Sequence, residues 1–109
     1  MKTINLEFDF LMGPIVKDMY SVSKNKLVTG IDLIDNDEEL TILNEKASSL
    51  YSSFYEFDKD DLCNFNTNLA KEHANELLEL INKIKSRINS LNDGSIVIND
   101  LATSQIKNF

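Results

Sequence analysis

Residues 70–91, which read AKEHANELLELINKIKSRINSL, decide the fold of this chain. Their apolar members recur alternately four and three positions apart, the spacing that places side chains on one face of an α-helix. Acidic residues dominate the early part of the stretch and basic residues the later part, which complements the helix macrodipole. We predict a helix near residues 67–93, with Gly94 placed to end it. Its apolar face consists of Ala70, Ala74, Leu77, Ile81, Ile84, Ile88 and Leu91.

A second helix is predicted near residues 37–55. Asn36 is followed three positions later by Glu39, the pattern of a capping box, so we expect Asn36 to cap this helix. Because one chain supplies two helices with matching apolar faces, we expect an antiparallel pair within a monomer. A coiled-coil homodimer through the longer helix is the alternative. The apolar face of the second helix consists of Leu40, Leu43, Ala47, Leu50 and Phe54.

Strands are predicted on both sides of the helix pair. Residues 4–8 alternate apolar and polar side chains, residues 15–22 and 26–31 resemble the two strands of a hairpin, and residues 95–99 contain three consecutive β-branched residues. The predicted order is β-β-β-α-α-β, with residues 102–109 as a loose tail. We therefore predict an α+β fold and a single domain over residues 1–109, in which an antiparallel two-helix hairpin packs on one face of a small, mostly antiparallel sheet of about four strands.

The acidic charge of the chain is concentrated in one segment. The net charge is −7 over 109 residues, and the segment from Gly30 to Asp61 holds ten acidic residues against two lysines. That segment therefore carries −8 and the rest of the chain +1. This distribution disfavours direct binding to nucleic acid or to an anionic membrane and favours a cationic partner.

The composition also bears on location. Charged residues interrupt the N-terminal apolar stretch, so the sequence shows neither a signal-peptide core nor a membrane span of about 18 residues. The lone Cys63 cannot form an internal disulfide, which fits a reducing compartment. We expect the protein in the cytoplasm.

Two acidic clusters are the candidate partner-binding residues. The first lies in IDLIDNDEEL (residues 31–40) and the second, which also contains aromatic residues, in YEFDKDDLCNF (residues 55–65). In a protein-binding surface the rings would anchor the partner and the carboxylates would attract a basic one. Alternatively, the first cluster only stabilises a helix N-terminus, and Phe57, Leu62 and Phe65 only close the end of the core. The candidates are Asp32, Asp35, Asp37, Glu38 and Glu39, and Tyr55, Glu56, Phe57, Asp58, Asp60 and Asp61.

Catalysis and metal binding have little support in the sequence. Cys63 and His73 are the only residues of their types, and the predicted helix boundary separates them. A calcium loop beginning at Asp35 would need Gly and Glu where the chain has Leu40 and Lys46. We therefore predict a protein that is not an enzyme and has no cofactor or metal site. A carboxylate enzyme that uses a metal ion remains an alternative.

A family resemblance adds to this interpretation. The stretches TGIDLIDNDEELTILNEKASSLYSSFYEF (residues 29–57) and LNDGSIVIND (residues 91–100) resemble small acidic immunity proteins of bacterial contact-dependent growth inhibition and related polymorphic-toxin systems. The similarity lies in a glycine and acid run before a Leu-x-x-Leu-Asn-Glu helix, a later Leu-Tyr-Ser, and an Asn-Asp-Gly-Ser turn entering a strand. It implies an antitoxin that binds a cognate basic toxin domain, often a nuclease, and blocks its active or substrate-binding site.

This function is the expectation from the sequence. The alternative is an acidic phage-type inhibitor or nucleic-acid mimic directed against a host DNA-binding enzyme. The resemblance transfers no contact residue by position, so the site prediction depends on charge and expected exposure alone.

Overall fold

The structure, a computed structural model, describes residues 1–60 and 62–109. Within them the chain is α+β. The strands are β1 (Lys2–Leu6), β2 (Met19–Ser21), β3 (Lys26–Val28), β4 (Tyr55–Phe57), β5 (Cys63–Phe65) and β6 (Ile96–Asp100). The helices are α1 (Asp32–Asp35), α2 (Glu38–Ser52), α3 (Thr67–Glu72), α4 (Ala74–Leu91) and α5 (Ala102–Lys107).

The core is built where α2 packs on α4. Four residues of the α4 apolar face, Leu77, Ile81, Ile84 and Ile88, are completely buried within one chain. Burial of each such side chain is worth roughly 1.5–3 kcal/mol, so this face is a main source of stability. It is not available as the seam of a coiled-coil homodimer.

The helix predicted over residues 67–93 is divided in two. His73 ends α3 and precedes α4 with a backbone conformation outside the helical range (φ −103°, ψ 8°). The side chain of Asn66 accepts a hydrogen bond from the Leu69 backbone N–H at 3.0 Å, which caps α3 separately. The apolar spacing continues across the break, which is why the sequence pattern does not reveal it.

The predicted four-stranded, mostly antiparallel sheet is wrong. The strands form three separate two-stranded ladders: β1 pairs with β6, β2 with β3, and β4 with β5. The β1–β6 pair is parallel, with Lys2 opposite Ile96 and Leu6 opposite Asp100. This pairing joins segments that lie 94 positions apart in the sequence and directs Ile4, Leu6 and Ile96 into the core. β1 pairs with β6 because this pairing buries those apolar residues. That burial depends on the tertiary fold.

The hairpin predicted over residues 15–22 and 26–31 is present only in part. Its paired strands are β2 and β3, each three residues long and largely exposed. The segment before β2 instead returns to β1: Glu7 donates its backbone N–H to Pro14 at 2.8 Å, and Val16 donates to Asn5 at 3.0 Å. Strands this short and exposed provide no apolar face on which a larger sheet could grow.

The turn at Gly13 is fixed by a buried amide. Asn44, on α2, is the one buried polar residue of the described core, and its Oδ1 accepts the backbone N–H of Ile15 at 2.9 Å. A Cβ atom at Gly13 would lie 2.2 Å from Nδ2 of Asn44. Glycine is therefore required there so that the loop can approach α2.

The prediction of a loose C-terminal tail is also wrong. Residues 102–107 form α5, which packs on α4 and buries Ala102 and Ile106. The carboxylate of Asp100 accepts hydrogen bonds from Thr103 N–H at 3.0 Å and from Lys85 Nζ at 2.9 Å. These contacts bind the start of α5 to α4, so the tail is part of the folded core.

Among the described residues, no helix combines the length and the apolar character needed to cross a bilayer.

Candidate protein-binding surface

Asp37, in the first acidic cluster, is held within the fold. It replaces the predicted Asn36 as the residue that caps α2, because its side chain accepts the Leu40 backbone N–H at 3.0 Å. Arg87 of α4 also binds it in a bidentate pair, with Nη2 to Oδ1 at 2.6 Å and Nε to Oδ2 at 3.0 Å. The Asp37 side chain is only 10% exposed. The hydrogen bond from Arg87 holds the pKa of Asp37 below its ordinary value, and the Leu40 N–H acts in the same direction.

Asp35 also serves the fold. Its carboxylate accepts hydrogen bonds from the backbone N–H of Thr29 at 2.9 Å, from the Thr29 hydroxyl at 2.8 Å and from the backbone N–H of Gly30 at 3.0 Å. These hydrogen bonds fix the turn between β3 and α1, in which Gly30 adopts a positive φ of 86°. Three donors already engage Asp35.

The other carboxylates of the first cluster are exposed. Glu39 lies 3.2 Å from Nε of Arg87, whereas Asp32 and Glu38 lie at the surface. Self-repulsion in this cluster is thus relieved by a cation about fifty positions later in the chain, which α4 places against the start of α2. The first cluster therefore has two parts. One caps α2 and joins it to α4, and the other is an outer set of exposed carboxylates.

The described residues of the second cluster lie on a hairpin. Strands β4 and β5 pair Tyr55 with Phe65 and Phe57 with Cys63. Oδ1 of Asp58 accepts the backbone N–H groups of Asp60 at 2.8 Å and of Leu62 at 3.0 Å, which fixes the turn.

The other acidic residues of the hairpin have different surroundings. Glu56 accepts a hydrogen bond from Asn66 Nδ2 at 2.8 Å, while Asp60 is exposed. The predicted contact residue Asp61 lies outside the described residues. Glu56 thus lies on the β4–β5 ladder, whereas Asp58 and Asp60 lie between the two strands.

The aromatic residues of the hairpin divide between core and surface. Phe65 packs edge-on against the buried Phe54, with ring centroids 6.1 Å apart, and Tyr55 packs against Phe65 at 5.1 Å. Phe57 and Leu62, by contrast, are 62% and 61% exposed. Of the three residues that the alternative interpretation assigned to the end of the core, only Phe65 packs there, whereas Phe57 and Leu62 stay at the surface. Partner binding through this segment stays a prediction.

The structure adds a segment that the sequence interpretation missed. The loop of residues 9–12 lies beside the hairpin, with the ring of Phe10 4.9 Å from that of Tyr55 and 6.2 Å from that of Phe57. Leu11 is 71% exposed. The sequence did carry a signal for this loop. The apolar run Phe10-Leu11-Met12 stands directly before the turn residues Gly13-Pro14, so part of the run is expected to lie outside a strand.

The two acidic clusters lie at opposite ends of α2. The first contains the cap at its N-terminus, and the second begins three residues after its last residue. A helix of 15 residues is about 22 Å long, so the clusters are separated by roughly that distance.

The described part of the chain also contains potential metal-ligating side chains outside the two acidic clusters, among them His73. It contains no group of three His, Cys, Asp or Glu side chains that could hold a metal ion. Nδ1 of His73 lies 3.1 Å from a carboxylate oxygen of Glu76, and its ring stacks near Phe54. These contacts give His73 a structural role at the junction of α3 and α4.

Comparison with protein-family models, with curated proteins and with solved structures gives no match for this chain. The resemblance to immunity proteins therefore stays a prediction.

Proposed function

We propose that this chain is an immunity protein, a non-catalytic cytoplasmic inhibitor that binds a basic toxin domain, with a nuclease as the leading candidate. One observation carries the proposal: an ordered hairpin presents Phe57 and Leu62 to solvent among Glu56, Asp58 and Asp60. Contiguous exposed apolar side chains are typical of interaction sites, and the apolar surface of Phe57 continues onto Phe10, whose ring centroid lies 6.2 Å away. The carboxylates around them select a basic partner.

The hairpin, more than the first cluster, has the properties of a direct contact. Asp35 and Asp37 are occupied by hydrogen bonds inside the fold, and withdrawing them for a partner would cost the stability they provide. Asp32, Glu38 and Glu39 are exposed and add to the negative field. We propose that these outer carboxylates accelerate association, while Phe57 and Leu62 provide the buried contacts that slow dissociation.

Inhibition would follow from the chemistry of a nuclease. Such an enzyme grips phosphate with Lys and Arg, and these cations would pair with the carboxylates of the hairpin. An occupied cationic groove cannot bind nucleic acid. The inhibitor then needs no catalytic group of its own.

The direct test uses the purified protein encoded immediately upstream of this chain. We expect a one-to-one complex at low salt, with an association rate that falls steeply as the salt approaches about 0.5 M, where the Debye length is only a few ångströms. Co-expression of this chain should restore growth to cells that express the upstream protein. Absence of a complex at low salt, together with absence of growth rescue, would contradict the proposal.

Point variants locate the contact. Phe57→Ala and Leu62→Ala should each weaken the complex by about tenfold or more, because they remove apolar anchors. The matched control is Val97→Ala, which shortens an exposed apolar residue on β6. Equal affinity of all three variants and the unmodified protein would place the contact elsewhere.

A further inference from the structure

The loop of residues 9–12 presents an apolar side chain on an unfavourable backbone. Leu11 has a φ of 61°, in the left-handed region that non-glycine residues rarely adopt. The backbone N–H of Met12 donates to the carbonyl of Asp9 at 3.1 Å, which closes the loop and leaves Leu11 at its tip. A residue held in this conformation with 71% of its surface in solvent gains little from burial within the chain.

The loop is fixed to the structure that carries the β4–β5 hairpin. The backbone N–H of Leu11 donates to the hydroxyl of Ser52, at the end of α2, at 3.1 Å. The neighbouring ring of Phe10 packs on Tyr55 and Phe57 of β4. These two contacts hold the loop that carries Leu11 against the end of α2 and against β4.

A hollow of about 390 Å³ lies at the same loop. Among the described residues, its lining includes Met12 and the acidic residues Glu7 and Asp9 but neither Lys nor Arg. A Lys or Arg side chain from another protein would fit such a site, because its alkyl stem can contact the Met12 side chain while its charged end meets the carboxylates. The charge of the hollow thus specifies a basic occupant.

We infer that the binding surface for the basic partner extends from the β4–β5 hairpin onto the loop of residues 9–12. Leu11 is an apolar anchor on this loop, and the hollow between Glu7 and Asp9 receives a Lys or Arg of the partner. This inference rests on the proposed function and adds a second chain segment to its contact surface. It also gives a reason for the left-handed backbone conformation of Leu11, because that conformation places an exposed leucine at the tip of the loop.

The test replaces Leu11 by asparagine. Asn tolerates the left-handed region, so Leu11→Asn keeps the loop while removing the apolar side chain. Val22→Asn is the matched control, because Val22 is 86% exposed and follows β2 on the other hairpin. The probe is the purified protein encoded immediately upstream, and the readouts are its affinity for each variant and the thermal midpoint of each variant alone.

We expect Leu11→Asn to lower the affinity by about tenfold or more without lowering the thermal midpoint, and Val22→Asn to leave the affinity unchanged. Equal binding of Leu11→Asn and the unmodified protein would overturn the inference while the proposed function stands. A loss shared by both variants would overturn it too, because the effect would not be specific to the loop. If the unmodified protein does not bind the probe, the proposed function and the inference both fail.

Discussion

Asp37 allows two structural roles of one carboxylate, helix cap and ion-pair partner, to be separated. It caps α2 and pairs with Arg87 of α4, so it connects the two helices that form the core. Asp37→Asn keeps a side chain that caps well but removes the charge, whereas Asp37→Ala removes both. The two variants together therefore measure the cap and the charge of this carboxylate independently.

The expected losses follow from these contacts. Loss of the cap costs about 1 kcal/mol, and loss of a partly exposed charge pair costs about 1 kcal/mol at most. We expect the free energy of unfolding to fall by about 1 kcal/mol in Asp37→Asn and by about 2 kcal/mol in Asp37→Ala. For a domain of this size, each 1 kcal/mol lowers the thermal midpoint by about 4 °C.

The pH dependence provides a second measurement of the same pair. The folded-state pKa of Asp37 lies below its unfolded value, so the ionised carboxylate contributes stability that is complete above about pH 4. That contribution is lost as the pH falls from there through the lowered pKa. The stability gap between the unmodified protein and Asp37→Asn should therefore shrink on acidification below pH of about 4.

Urea unfolding followed by circular dichroism measures these differences at each pH. The control is Glu38→Gln, which changes an exposed carboxylate in the same helical turn and should alter stability by less than about 0.5 kcal/mol. A result in which Asp37→Asn is as stable as the unmodified protein at pH 7, or in which the gap widens on acidification, would refute this account of the pair.

Three further predictions concern the core, the tail and the hairpin. Asn44→Ala should lower the free energy of unfolding by about 1–3 kcal/mol, because the buried Ile15 N–H loses its hydrogen-bond acceptor. Urea unfolding measures this loss, and an unchanged stability would contradict the role of the amide. Ile106→Ser should lower the thermal midpoint measurably because Ile106 is buried, whereas a loose tail would tolerate it. Phe57→Ala should change the free energy of unfolding by less than about 0.5 kcal/mol, whereas Phe54→Ala should lower it by about 3–5 kcal/mol, because Phe54 is buried and Phe57 is exposed. Calorimetry measures both variants. Equal losses of stability in the two would show that Phe57 is part of the core.

The periodicity of residues 77–88 could be interpreted from the sequence because helical burial depends on local spacing. Leu77, Ile81, Ile84 and Ile88 are all buried as the spacing implies. The pairing of β1 with β6 had no such local signal, because a parallel ladder between distant segments depends on where the helices between them lead. The predicted antiparallel sheet failed for this reason.

The candidate site shows the same division. The sequence identified the acidic residues around Asp37 and Asp58 as a concentrated charge, and that concentration follows from composition alone. It could not show that Arg87 forms an ion pair with Asp37, or that the loop carrying Leu11 lies beside the hairpin. Those facts depend on contacts between segments forty or more positions apart.

By itself, the sequence determined the α4 apolar face, the excess of negative charge between Gly30 and Asp61, and the scarcity of catalytic residue types. These are properties of spacing and composition, and they follow from the order of residues in any fold. The tertiary structure decided the strand partners, the packing of the C-terminal helix, and which carboxylates and apolar side chains remain exposed. Those properties depend on distances in space, since an ion pair or a buried ring exists only when packing brings its two sides together.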